Sequence, residues 1–96
     1  MAFVGQPYVA TPLLPAQRIV SPSSATPMSV PVGATFAYVT VEGSSVRWLD
    51  GGSNPTLTVG HLLDAGEASD VFPGDLATTY FIDTGTTAVI TISYYR

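Results

Sequence analysis

Short runs of alternating apolar residues cover most of the chain from residue 17 onward. In ATFAYVTVE the alternation places two aromatic residues on one face of a strand and aliphatic residues on the other. The first face holds Phe36, Tyr38 and Thr40, and the second holds Ala37, Val39 and Val41. Both faces are largely apolar, which predicts a central strand that ends at Glu42-Gly43. The other runs that predict strands are QRIV, PMSVPV, SSVRW, TVGHLLDAGE, ASDVF, LATTYFID and TAVITISYYR.

Turn signals separate these runs. Gly43-Ser44 and Asp83-Thr84-Gly85 predict hairpins, Asp64-Ala65-Gly66 a tight turn, and Pro73-Gly74-Asp75 a further turn. Seven or eight short strands with turns about every 8 to 12 residues, and no helical periodicity, predict an all-β fold. We expect an antiparallel β-sandwich or jelly-roll-like single domain; a five-stranded barrel is the alternative.

The first third of the chain has a different composition. It holds six of the eight prolines, and Arg18 is its only charged residue. Proline resists helix and cannot donate to a ladder, so residues 1–16 are predicted to form an extended Pro-rich N-terminal arm, and residues 17–96 the β-sandwich domain. The apolar residues of the arm are Phe3, Val4, Tyr8, Val9, Leu13 and Leu14. Because disordered segments are usually polar and charged, we expect this arm to bind its own core or a neighbouring subunit; a flexible terminus is the alternative.

Charge is scarce throughout. Of the 96 residues only 10% are charged, there is no lysine or cysteine, and the net charge is −4. With arginine only at 18, 47 and 96, no basic patch exists for nucleic acid or for an anionic membrane. No positively charged signal-peptide segment precedes Arg18, and the prolines between residues 19 and 41 are unsuited to a membrane span. A small domain with such a surface suits lasting contact with another protein, in the cytoplasm or in a particle assembled there.

The residues that could recognise a ligand are few. Trp48, Asp50 and Asn54 lie in or beside a Gly-rich loop, where an aromatic ring with polar neighbours could bind a sugar. The alternative is that Trp48 packs at a strand end while residues 50–55 form turns. In ISYYR, Tyr94 and Tyr95 face opposite sides of a strand, so one is expected in the core and Tyr95 is a candidate interface residue.

Nothing in the chain has the pattern of a catalytic or metal site. His61 has no nucleophile or orienting partner nearby in the sequence, which favours a structural or surface role. The acidic residues Asp64, Glu67, Asp70 and Asp75 lack the dense spacing of a calcium loop. We therefore expect no enzyme activity, no metal and no cofactor.

Two segments, YVTVEGSSVRWLDGGSNPTLTVGHLLDAGE and GDLATTYFIDTGTTAVITISYYR, resemble small proteins of tailed-bacteriophage virions. The likeness covers about residues 34–96 and consists mostly of turn and core positions. The matching positions are Val41-Glu42-Gly43, Arg47-Trp48, Asp50-Gly51, Pro55-Thr56, Val59-Gly60, Leu62 or Leu63, Ala65-Gly66-Glu67, Gly74-Asp75-Leu76 and Ser93-Tyr94-Tyr95-Arg96.

The resemblance implies a virion structural role, foremost that of a capsid decoration (cement) protein. Such a protein would bind the major capsid protein, form a dimer or trimer, and reside in the virion after assembly in the host cytoplasm. Two other classes stay open: a tail, fibre or baseplate component, and a small carbohydrate-binding β-sandwich module.

Overall fold

The structure, a computed structural model, describes residues 11–66, 70–73 and 76–96. Within this part the chain forms eight strands and one short 3-10 helix, Leu76–Thr78. The strands are β1 Pro12–Val20, β2 Thr26–Pro27, β3 Phe36–Glu42, β4 Val46–Leu49, β5 His61–Leu63, β6 Asp70–Pro73, β7 Tyr80–Asp83 and β8 Val89–Tyr95. The prediction of an all-β fold is confirmed.

The strands form two four-stranded sheets in which every pair is antiparallel. The first sheet has the order β1-β8-β3-β6 and the second the order β2-β7-β4-β5. β3 lies between β8 and β6, so the prediction of a central strand is confirmed.

The two hairpins predicted at Gly43-Ser44 and at Asp83-Thr84-Gly85 are wrong. Each of these turns carries the chain from one sheet to the other: β3 and β8 belong to the first sheet, β4 and β7 to the second. A turn signal reports that the backbone changes direction, whereas the pairing of the strands depends on which faces can be buried together. The two crossovers lie against each other, since a Cβ atom on Gly43 would be 1.9 Å from the Thr87 carbonyl oxygen.

One hydrophobic cluster joins the inner sides of both sheets. It consists of Ile19, Met28, Ala37, Val39, Val41, Val46, Leu63, Phe72, Leu76, Phe81, Ala88, Ile90, Ile92 and Tyr94. The alternation expected in β3 is confirmed, because its second, fourth and sixth residues are buried while Tyr38 and Thr40 are exposed. Tyr94 is fully buried and Tyr95 only half-buried, as the opposite orientations of the two side chains require.

β1 begins inside the segment that was expected to be an arm. Pro12 pairs with Tyr95 and Leu13 with Tyr94, and the register shifts between Leu13 and Gln17, where Pro15 has no N–H to donate. Residues 12–16 are therefore part of the first sheet. The other apolar residues of the predicted arm, Phe3, Val4, Tyr8 and Val9, lie outside the described residues.

Two predicted strands differ in extent from the observed ones. PMSVPV contributes only Pro27 to β2, whose two residues pair with β7. Pro27 and Pro31 cannot donate to a ladder, which prevents a longer strand. In LATTYFID the first three residues form the 3-10 helix, and the strand begins at Tyr80.

Candidate interaction surfaces

The outer side of the first sheet is a continuous surface made mainly of aromatic, aliphatic and hydroxyl side chains. We call it the sheet-1 face and define it by Arg18, Val20, Phe36, Tyr38, Thr40, Glu42, Val89, Thr91, Ser93 and Tyr95. Their neighbours along each strand point into the core, so strand alternation fixes these side chains on the outside.

Aromatic residues occupy one end of the sheet-1 face. Phe36 pairs directly with Tyr95, and their rings stack with centroids 5.2 Å apart and planes 13° apart. Tyr38 lies two residues farther along β3 and is 45% exposed. Such offset stacking adds stability beyond area burial and leaves a rigid, largely apolar platform.

The other end of the sheet-1 face carries two charges of opposite sign. Arg18 is level with Thr91 and Thr40 across β8 and β3, while Glu42 is level with Val89 and Val20 one step farther along. Both charged side chains are exposed, and neither forms an ion pair with another described residue. Since β1 and β3 flank β8, the Cα atoms of Arg18 and Glu42 are about 10 Å apart in the direction perpendicular to the strands.

A second apolar surface lies on the edge of the second sheet. Leu57, Val59 and Leu62 are 61%, 56% and 52% exposed, and we call them the 57–62 patch. Arg47 contacts this segment. It pairs with Leu62 across the two strands, and its guanidinium donates hydrogen bonds to the carbonyl oxygens of Leu57 at 3.2 Å and Gly60 at 2.9 Å. These bonds fix the loop, so the patch is presented on an ordered backbone.

Trp48 lies beside this patch but packs inward. Its ring contacts the Phe72 ring in an edge-to-face arrangement and the exposed His61 ring at a tilt of 41°, with ring centroids 4.6 Å apart in both pairs. Trp48 is half-buried, which agrees with the interpretation that it packs at a strand end. The surface role predicted for His61 agrees with its exposure and with the contact to Trp48.

A buried carboxylate holds together the loops at one end of the two sheets. Asp83 accepts hydrogen bonds from Ser44 Oγ at 2.5 Å, Gly85 N at 2.8 Å and Ala88 N at 3.0 Å. Burial alone would raise the pKa of Asp83, but the bonds from Ser44, Gly85 and Ala88 outweigh it and hold this pKa below the ordinary value of 3.8. The backbone N–H of Asp83 also donates to the Pro22 carbonyl at 2.8 Å, so segments from three parts of the chain meet here.

At the opposite end a buried tyrosine joins β8 to β1. Tyr94 donates to Gln17 Oε1 at 2.5 Å, and the same oxygen accepts from the backbone N–H of Ser29 at 2.8 Å. Burial raises the pKa of Tyr94 to about 12. We assign Tyr94 a structural role, because its hydroxyl is enclosed by the core and by Gln17 and Ser29.

The structure separates the residues singled out from the sequence. Trp48, Asp50 and Asn54 belong to the second sheet and its 50–60 loop, and Asp50 and Asn54 are exposed. Tyr95 lies on the sheet-1 face. Leu13 is half-buried against the core, whereas Leu14 is 85% exposed on β1.

Sequence reasoning missed most members of both surfaces. The alternation of β3 already grouped Phe36 with Tyr38, but it did not reveal which face is outside. Arg18 and Glu42 are far apart in sequence and become neighbours only through β8. Leu57 and Val59 carried no periodic signal because they lie in a loop.

Comparison of the chain with protein families, curated proteins and solved structures found no match. Among the described residues no group of three or more His, Cys, Asp and Glu side chains converges to hold a metal ion. No helix in that part of the chain has the length and apolar character needed to cross a membrane.

Proposed function

We propose that this chain is a non-enzymatic virion structural protein, a capsid decoration (cement) protein that binds the major capsid protein and stabilises the head of a tailed bacteriophage. The observation that carries the proposal is the exposure of large apolar side chains on two separate surfaces of a domain in which only 10% of residues are charged. Apolar patches of this kind are typical of protein interaction sites. Two such surfaces would let one small domain contact two neighbours at once.

The proposal includes a jelly-roll sandwich as the fold. The pairings β1 with β8, β2 with β7, β3 with β6 and β4 with β5 are nested, as in one long hairpin wrapped around a core. Nesting of this kind supports two Greek keys, and jelly rolls recur in viral capsid and lectin domains.

In this proposal the 57–62 patch binds the capsid. Leu57, Val59 and Leu62 are each more than half exposed, so burying the rest of each side chain contributes about 1 kcal/mol. The summed contribution of the three side chains is small for one molecule, and the predicted arm would add buried area. The stabilisation of the head accumulates over its many identical binding positions.

A carbohydrate-binding module is less well supported. Sugar recognition by Trp48 would require a free ring face, but Phe72 and His61 both contact this ring. A tail, fibre or baseplate role uses the same kind of contacts and differs from decoration in location and copy number.

The test is rebinding of purified protein to particles that lack it. We expect the triple variant L57S/V59S/L62S to lose binding while it stays folded, because the altered side chains are exposed. V32S is the matched control, since Val32 is 99% exposed in a different loop. Equal binding by the triple variant and V32S would contradict the role of the patch.

The predicted arm is tested with a deletion of residues 1–10. The deletion must stop there because β1 begins at Pro12 and Leu13 packs on the core. We expect a folded domain with weakened particle binding. Unchanged binding would refute a role for the arm and leave the patch as the contact.

A further inference from the structure

We propose that the sheet-1 face binds a second copy of this chain, about a two-fold axis that runs parallel to the strands and over β8. In this arrangement β1 of one copy lies opposite β3 of the other, and β8 lies opposite itself. The proposal concerns a different surface from the 57–62 patch and does not depend on the virion role.

Charge complementarity supports this occupant. β1 and β3 run parallel on either side of β8, with Arg18 level with Thr40 and Val20 level with Glu42. The rotation exchanges the positions of β1 and β3 but keeps the levels. Arg18 and Glu42 of the second copy are then offset by two residues, about 7 Å, along the strand direction. The two long side chains can span this offset. The symmetry forms this pair twice.

The alternative face-to-face orientation is unfavourable. An axis perpendicular to the strands through the middle of the face, level with Ile92, would place β1 opposite β1, with the two Arg18 residues about 7 Å apart along the strands. Like charges in opposed positions destabilise a contact. Only the axis parallel to the strands pairs the unlike charges.

The remainder of the sheet-1 face also suits a second copy. The axis over β8 brings Tyr95 opposite Tyr95 of the second copy and Phe36 on β3 opposite Pro12 on β1, so this end of the contact is largely apolar on both copies. The chain carries a net charge of −4, yet the two charges of this face cancel. Of the other acidic residues whose side chains are described, Asp50 and Asp64 follow strands of the second sheet and Asp83 is buried. The sheet-1 face, as defined by its ten residues, therefore adds no local charge repulsion between two copies.

The size of the face sets the expected strength. From Tyr95 to Val89 the face is about 20 Å long, and three strands are about 14 Å wide, which gives about 300 Å² in projection per copy. The two copies together bury about 600 Å², half of the ~1,200 Å² at the lower limit of stable interfaces. We therefore expect a dimer with a dissociation constant in the micromolar range.

The test is sedimentation velocity of the full chain at low salt, over about 5 to 500 µM. We expect wild type to shift from monomer to dimer over this range, and R18E and E42R each to raise the dissociation constant about tenfold. The double variant R18E/E42R restores both pairs with reversed sign, so its dissociation constant should return close to that of wild type. D50R is the control: it changes the net charge as E42R does, but on the second sheet, and should dimerise at least as well as wild type.

Three results would overturn the proposal. They are a wild-type monomer at all concentrations, equal effects of E42R and D50R, and a double variant as weak as the single ones. Arg18, Glu42 and Asp50 are exposed, so all four variants should fold, which Trp48 fluorescence verifies.

Discussion

Replacement of Asp83 by asparagine tests the hydrogen-bonded junction at the end of the two sheets. In the native chain Oδ1 accepts from Ser44 Oγ and Gly85 N, and Oδ2 accepts from Ala88 N. An asparagine side chain has only one acceptor oxygen, and its NH₂ group must face at least one of these donors. In the most favourable orientation, the asparagine oxygen keeps the two bonds now made by Oδ1. Its NH₂ group then faces the buried N–H of Ala88, which is left without an acceptor.

The size of the effect follows from these contacts. A hydrogen bond to a charged acceptor contributes about 1.5–3 kcal/mol, and a buried donor left without an acceptor costs about 1–3 kcal/mol. Weakening of the two bonds that remain adds to this loss. We expect D83N to lower the free energy of unfolding by about 3 kcal/mol, which corresponds to about 12–24 °C in Tm for a domain of this size.

The loss should depend on pH in a defined direction. The folded-state pKa of Asp83 lies below 3.8, so the charged group stabilises the fold at any pH above its unfolded pKa. This contribution declines as the pH falls below about 4. The difference between wild type and D83N should therefore be constant above about pH 5 and become smaller in stronger acid.

The assay is urea unfolding followed by Trp48 fluorescence, because this single tryptophan packs against Phe72 in the core. D64N is the matched control: it makes the same charge change at an exposed carboxylate with one hydrogen bond, from Ser45 Oγ at 3.0 Å. We expect D64N to cost less than about 0.5 kcal/mol. A D83N loss no larger than that of D64N would refute the account of this junction.

Two further substitutions probe the packing and the opposite end of the fold. Gly43→Ala and Gly51→Ala both place a side chain at positive φ, but only the Cβ at position 43 meets backbone, 1.9 Å from the Thr87 carbonyl oxygen. G51A should cost about 1 kcal/mol and G43A clearly more; equal unfolding midpoints in urea would contradict the close approach of the two crossovers. Tyr94→Phe removes the hydroxyl bonded to Gln17 and should cost about 0.5–1.5 kcal/mol. Burial raises the pKa of Tyr94 to about 12, so the wild type should lose stability as the pH rises from about 10 to 12. An equal loss of stability in Y94F over this range would refute the assignment of that loss to Tyr94.

Local patterns predicted most of the strands and the alternation of their side chains. The alternation in β3 and β8 reflects burial on one side of a sheet, so it correctly placed Val39 and Tyr38 on opposite faces, and Tyr94 and Tyr95 likewise, but it did not show which face of β3 is buried. The partners of the strands were beyond such reasoning. Turns at Gly43 and Asp83 look like hairpin turns in sequence, whereas the structure uses them to cross between sheets.

The interaction surfaces were harder to predict for the same reason. Tyr95 was a candidate because it and Tyr94 face opposite sides of one strand, which is local information. Arg18 and Glu42 share a surface only because β1 and β3 both pair with β8. Trp48 attracted attention by its chemistry, but its contacts with Phe72 and His61 show that the ring packs at the edge of the core.

The central claim is tested most directly by counting copies of this protein per particle in purified virions, with heads and tails separated and stained quantitatively. The decoration role predicts a number comparable to that of the major capsid protein, found on heads. A few copies confined to tails would contradict it in favour of a tail, fibre or baseplate component, and absence from particles would refute the virion role altogether.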